Sequence, residues 1–299
     1  MESFAQANGQ RLCYETFGNP AHPALLLIMG LGAQMILWDD EFCACLAARG
    51  LYVIRFDNRD IGRSSSLFDP VTVDLPALMM QAMQGKPIVS PYKLADMAAD
   101  AVGLLDHLGI KAAHVAGASM GGMIAQEMAM NAPGRVLTLT SIMSSTGAPG
   151  LPGPTPEAAA GLMAPPAATR DEYIAAFGRS WRVLRAGSFP EDEAKDPIRA
   201  ARMWDRGVNP AGAARQLLAI FASGDRTARL ASVRAPTLVI HGAPDPLVRL
   251  EAGKATAAAI PGARLLVIGN MGNALPMAIW PEVIGAVADH AHAVVPAEA

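Results

Sequence analysis

Short, unbroken apolar runs alternate along most of this chain with stretches whose apolar residues recur at helical spacing. Residues 24–29 (Ala-Leu-Leu-Leu-Ile-Met) lie between Pro23 and Gly30, and residues 51–56, 112–118, 136–143, 237–241 and 263–268 are runs of the same kind. Runs this short, bounded by glycine or proline, read as strands, and their continuous apolar character suits burial on both faces. Between them, residues 37–49, 93–108, 120–130, 250–259 and 280–293 read as helices. In the 93–108 stretch Leu94, Met97, Ala98, Ala101, Leu104, Leu105 and Leu108 fall on one stripe. Ahead of this rhythm, residues 3–7 and 11–17 flank Asn8-Gly9, a pair suited to a tight hairpin turn.

The alternation lapses once. Residues 144–229 contain no buried-strand run. They open on the Pro/Gly-rich stretch 147–154 and then show helical patterns near 170–186, 197–206 and 211–222. Strands alternating with helices predict an α/β fold with a mostly parallel sheet and helices on both faces. The predicted core is 1–143 together with 230–299, with 144–229 as a helical cap inserted between two strands. Ligands in such sheets bind beyond the carboxyl ends of the strands, so the cap would roof that site.

Composition narrows the function. Of 299 residues 52% are hydrophobic and 17% charged, which excludes a disordered chain. The net charge of −3 and the absence of a Lys/Arg-rich block exclude a basic nucleic-acid surface. No apolar run approaches the length of about 20 residues needed to span a bilayer. The first residues carry neither a basic start nor an apolar stretch, so the expected location is cytoplasmic. Cys13, Cys43 and Cys45 are odd in number and lack a histidine set. Free thiols, no metal and no cofactor are expected.

Gly117-Ala118-Ser119-Met120-Gly121 fits G-x-S-x-G between a predicted strand and a predicted helix. That context is the nucleophile elbow, a sharp turn lifting a serine hydroxyl above the sheet edge. An oxyanion then needs two backbone donors. Met120 N–H follows the nucleophile, and Leu31 N–H lies in the loop Met29-Gly30-Leu31-Gly32-Ala33 after the third strand. Asp245, in His241-Gly242-Ala243-Pro244-Asp245-Pro246, follows a late strand and is placed to orient a base.

These stretches, with Phe56-Asp57-Asn58-Arg59-Asp60-Ile61-Gly62-Arg63-Ser64, resemble the α/β-hydrolase superfamily over nearly the whole chain. Within it the chain most resembles capped esterases related to aclacinomycin methylesterase and, more distantly, proline iminopeptidase-type enzymes. The resemblance implies hydrolysis of carboxylic esters through an acyl-enzyme. The charges of 57–64 read as loop structure, not chemistry.

One residue departs from that pattern. The superfamily would place a histidine in the turn after the last strand, and here Gly269-Asn270-Met271-Gly272-Asn273-Ala274 puts Asn273 in that slot. An amide has no titratable nitrogen near neutral pH and cannot take the serine proton. It can still hydrogen-bond an aspartate, and Asn273 is expected within reach of both Asp245 and Ser119, with at least one contact long or water-bridged because Asn is shorter than His. Of the six histidines, His241 is nearest in sequence to the acid and reads as structural. Two explanations stand, a deliberate His→Asn change and a natural loss of the base. Two functions stand with them: a serine carboxylesterase crippled as written, and a non-catalytic ligand-binding protein on the hydrolase fold. Dehalogenase or epoxide-hydrolase chemistry would want aspartate at the elbow. Gly30, Met143 and Met271 are the expected substrate-binding residues, with Trp181 and Trp204 as aromatic lining. With no charged cluster evident, the expected partner is a neutral, largely apolar small-molecule ester.

Overall fold

The structure is a computed structural model and describes residues 1–67 and 74–294. Eight strands form one sheet in the order β1-β2-β4-β3-β5-β6-β7-β8. They are β1 (Ser3–Ala7), β2 (Gln10–Phe17), β3 (Ala24–Ile28), β4 (Tyr52–Phe56), β5 (Ala113–Ala118), β6 (Val136–Ile142), β7 (Thr237–Gly242) and β8 (Arg264–Ile268). The hairpin β1–β2 and the pair β2–β4 are antiparallel, and every other pairing is parallel.

The helices are α1 (Asp40–Ala48), α2 (Leu75–Met83), α3 (Leu94–His107), α4 (Met120–Asn131), α5 (Pro156–Leu162), α6 (Arg170–Leu184), α7 (Asp196–Arg206), α8 (Pro210–Ser223), α9 (Thr227–Leu230), α10 (Leu250–Ala259) and α11 (Trp280–His292). One apolar layer joins α3 and α4 to the sheet through residues such as Leu26, Val115, Leu104 and Ile124. The opposite layer joins α1 and α11 through Leu25, Leu27, Phe42, Ile240 and Val283. Residues 24–28 and 113–118 are buried throughout because both faces of these strands are covered. No helix among the described residues is long and apolar enough to cross a membrane.

The predicted strands lie within a residue or two of these bounds, as do most of the predicted helices. The 37–49 stretch is an exception: a 3-10 turn (Met35–Leu37) precedes α1, because Asp57 accepts from the Met35 amide at 2.8 Å and bends the chain there. The sequence pattern missed α2 and α5, each begun by a proline in its first turn and capped by a side chain, Asp74 and Thr155.

Between β6 and β7 the described chain is helical, and buried polar contacts fasten it to the sheet. Arg206 on α7 pairs with Asp57, and Arg215 on α8 grips Asp60 through Nε and Nη2, both at 2.8 Å. Gln216 reaches the Arg59 carbonyl at 2.9 Å and accepts from the Gly32 amide at 2.9 Å. Gln34 donates to the Met203 and Gly207 carbonyls. The charged 57–64 loop is therefore an anchor for the helical segment, in keeping with a structural role.

Candidate functional site

Ser119 sits between β5 and α4 with φ of 54° and ψ of −119°, a region costly for a residue with a Cβ. Two glycines permit the turn. A Cβ on Gly117 would overlap the Gly121 carbonyl, and one on Gly121 would overlap the Ile28 carbonyl. The Ser119 amide donates to the Ile142 carbonyl at 2.9 Å, and its carbonyl accepts from Ser144 Oγ at 2.7 Å. The serine heads α4, yet its side chain makes no capping hydrogen bond. Its hydroxyl is left for the cavity that it lines.

That cavity encloses about 420 Å³ beyond the carboxyl ends of β3, β5 and β6. Met29, Gly30, Leu31 and Met143 line it from the sheet side. Gly30 packs so close that a Cβ there would stand 3.3 Å from the Ser119 Cβ and 3.8 Å from its Oγ. In the loop after β3, the Gly32 amide is bonded to Gln216 and the Ala33 amide to the Gly30 carbonyl. The Leu31 amide is left without a partner among the described residues. Met120 is the first residue of α4, where helical amides lack intrahelical acceptors.

Asp245 follows β7 and is fully buried. Its Oδ1 accepts from the Leu247 and Val248 amides at 2.9 and 2.8 Å. Its Oδ2 accepts from Asn273 Nδ2 at 2.7 Å. Burial pushes the carboxyl up to about 6, against the pull of Asn273, the two amides and Arg249. Asn273 is itself 7% exposed. Its amide nitrogen donates to the Leu184 carbonyl at 2.7 Å, and Nδ2 also lies 3.5 Å from the Met143 carbonyl. Met143 holds a positive φ of 42°, which turns its carbonyl there.

The structure thus joins Asn273 to Asp245 and lines one cavity with Asn273 and Ser119. It forms no hydrogen bond between the last two. Nδ2 is held by Asp245, and the Asn side chain is shorter than an imidazole, so the contact towards Ser119 is the longer of the two expected. None of the six histidines lines the cavity. His241 Nε2 meets the Val248 carbonyl at 2.7 Å, His114 bonds Thr138, His290 the Pro236 carbonyl and His292 the Arg49 carbonyl. His22 and His107 are exposed elsewhere.

Met271 does not contribute to the cavity. It lies under the β7 end in the core with Ile240, Ile268 and Trp280, where Gly242 admits its carbonyl. Trp181 lines the cavity, stacked on Phe177, whereas Trp204 packs away from it against Tyr173. Sequence reasoning also missed a charged wall. Arg185 and Arg199 line the cavity and are neutralised by Asp196, Asp39 and Asp192. These residues are scattered over 160 positions, from Asp39 to Arg199, so no local motif announces them.

Comparison with known proteins agrees with this fold. A family model described as alpha/beta hydrolase fold matches residues 23–277. The chain is 32% identical to rhodomycin D methylesterase DauP of Streptomyces sp. (strain C5), over 93% of this chain and 94% of that protein. It is 28% identical to the putative carbamate hydrolase RutD of Azorhizobium caulinodans, over 94% of each. Among solved structures, a hydrolase from Pseudomonas aeruginosa PA01 superposes with a TM-score of 0.69 at 28% identity, covering 99% of this chain and 98% of that one.

Proposed function

The chain belongs to the α/β-hydrolase fold family, and from that premise we propose an esterase-type hydrolase built on Ser119, with Asn273 standing where its general base belongs. Residues 1–143 and 230–299 are the hydrolase core in this reading, and 144–229 the cap that roofs the site. The reading is carried by the elbow. Ser119 is held in a strained turn, uses its hydroxyl for no cap and lines a largely apolar cavity. Such strain persists where function requires it.

Ser119 Oγ is the nucleophile, attacking the carbonyl carbon of an ester with an apolar body. The Leu31 and Met120 amides receive the oxyanion, and Gly30 and Met143 bound the acyl position. Asp245 holds Asn273 in place. Without an imidazole the serine keeps its proton, so a neutral ester binds but is acylated slowly. The methylesterase relatives favour a small-molecule carboxylic ester over a peptide. A fluorophosphonate probe tests the reading. The Asn273→His variant should be labelled on Ser119 and should hydrolyse p-nitrophenyl esters. An intact fold that refuses the probe would instead favour the second reading, a ligand-binding protein in which Asn273 serves only to shape the site.

A further inference from the structure

In the proposed hydrolase the residue in the base position rides on a turn held from the helical segment as well as from the sheet. Residues 269–277 follow β8, and their backbone meets the helical segment at two points. The Asn273 amide donates to the Leu184 carbonyl at 2.7 Å. The Met277 amide lies 3.3 and 3.2 Å from the two carboxylate oxygens of Asp192. Leu184 is the last residue of α6, where carbonyls have no intrahelical donor, so Asn273 supplies the partner that this helix end lacks. Gly272 makes the approach possible. A Cβ there would stand 2.0 Å from the Leu184 carbonyl oxygen and 2.9 Å from the Arg185 carbonyl carbon.

Both points are fixed by the charged wall. Arg185, next to Leu184, gives Nη1 and Nη2 to the two carboxylate oxygens of Asp196 at 3.0 and 2.6 Å, and both side chains are buried. Asp196 opens α7, so the pair ties the end of α6 to the start of α7 across the intervening turn. Asp192 lies in that turn. Arg199, one turn into α7, faces Asp192 and Asp196 and grips Asp39 at the head of α1. Stability is a weak reason for the Arg185–Asp196 pair, because a buried ion pair seldom outdoes apolar packing of the same size. This one also leaves Arg185 Nε buried without a partner among the described residues, a further cost. What a two-pronged guanidinium–carboxylate contact does supply is a fixed direction. The last turn of α6 also lines the cavity through Trp181, Val183 and Leu184. The surface that meets the body of a substrate is therefore the element that holds residue 273.

Resting on the hydrolase reading, we propose that Arg185 and Asp196 are positioning residues of the reaction: through the Leu184 carbonyl they set where residue 273 stands relative to Ser119. The helical segment in this reading does more than cover the cavity. A base at position 273 must come within hydrogen-bond reach of Ser119 Oγ, and a displacement of about 1 Å costs on the order of 10²-fold in rate. Asp245 fixes the side chain of residue 273 at its tip, and Leu184 fixes its backbone. With the second tether lost, the side chain keeps its acid but the turn that carries it is free to shift.

The double variant Arg185→Met with Asp196→Leu removes the pair without leaving either charge buried alone, since Arg199 keeps Asp39 and Asp192. Made in the unaltered chain, it should quicken hydrogen exchange in peptides spanning 271–278 on the order of tenfold, the worth of one lost hydrogen bond. Peptides over the β5–α4 elbow should keep their rate. Made in Asn273→His, it should lower kcat for a p-nitrophenyl ester by about 10- to 100-fold, with KM little changed. Gly272→Ala pushes away the same carbonyl without touching an ion pair. It should act likewise in both measurements, and it carries the test if the double variant does not fold. An active Asn273→His whose kcat withstands these changes, or whose loss lies in KM alone, overturns the positioning role and leaves the hydrolase reading standing. Unchanged exchange at 271–278 overturns it too. An Asn273→His variant inert towards every ester and towards fluorophosphonate overturns the hydrolase reading, and the positioning role falls with it.

Discussion

Asn273 and Asp245 set the chemistry at the scale of single residues. Replacing Asn273 with histidine should raise turnover of neutral esters by about 10⁴–10⁶, the scale on which triads fail when the base is removed, measured as kcat on a p-nitrophenyl ester. The same pair carries a pH signature in stability. Burial pushes the Asp245 carboxyl up to about 6, above its ordinary value of 3.8. The folded state therefore binds this proton more tightly than the unfolded one. The stabilisation is full below pH 3.8 and is lost as pH rises through about 6, a loss of about 3 kcal/mol at 1.36 kcal/mol per pKa unit. Asp245→Asn removes that loss, since Asn273 can turn its Oδ1 to the new amide. The Tm of Asp245→Asn relative to the parent should climb between pH 4 and pH 6.5. A difference independent of pH across that window would show that the carboxyl titrates normally.

Among the elements, the β5–α4 elbow depends on close approach of three backbones. A methyl at Gly117 would occupy the Gly121 carbonyl, which lies on the same tight turn and cannot retreat without moving α4. Gly117→Ala should therefore cost about 3 kcal/mol and shift the urea midpoint downward. Gly134, in the 3-10 turn before β6, has open space around its Cβ position and no positive φ. Gly134→Ala should leave the midpoint unchanged or raise it slightly, because it restricts the unfolded chain. The elbow was legible from its motif because the spacing of glycines around a serine expresses a local backbone requirement. The α2 and α5 helices were not, since each is short and depends on a cap more than on an apolar stripe.

For the molecule as a whole, the helical segment and the sheet are bound by buried ion pairs as well as by apolar contact. Asp60 accepts from Arg215, from Tyr92 Oη at 2.7 Å and from the Leu67 amide at 2.8 Å, so every lone pair has a donor. Removing the guanidinium leaves a carboxylate buried without its counterion. Arg215→Met should cost about 3–5 kcal/mol, read from chemical unfolding. If the helical segment is anchored in this way, the variant should also lose affinity for fluorescent ester ligands before the sheet unfolds. Loss of both in one transition at the parental midpoint would show that the anchor is dispensable.

The alternation of apolar runs determined the strands, their burial and the place where the helical segment enters, because periodicity and side-chain burial are local properties of the chain. The motif around Ser119, the position of Asp245 and the amide at residue 273 were equally plain, since each belongs to a short segment with its own backbone geometry. Tertiary structure alone decided that Met271 turns into the core, that Nδ2 of Asn273 goes to Asp245 and not to Ser119, and that Arg185 and Arg199 wall the cavity beside Asp39 and Asp192. Those outcomes depend on distances between segments far apart in sequence, set by the packing of helices over the sheet, and no local pattern encodes them.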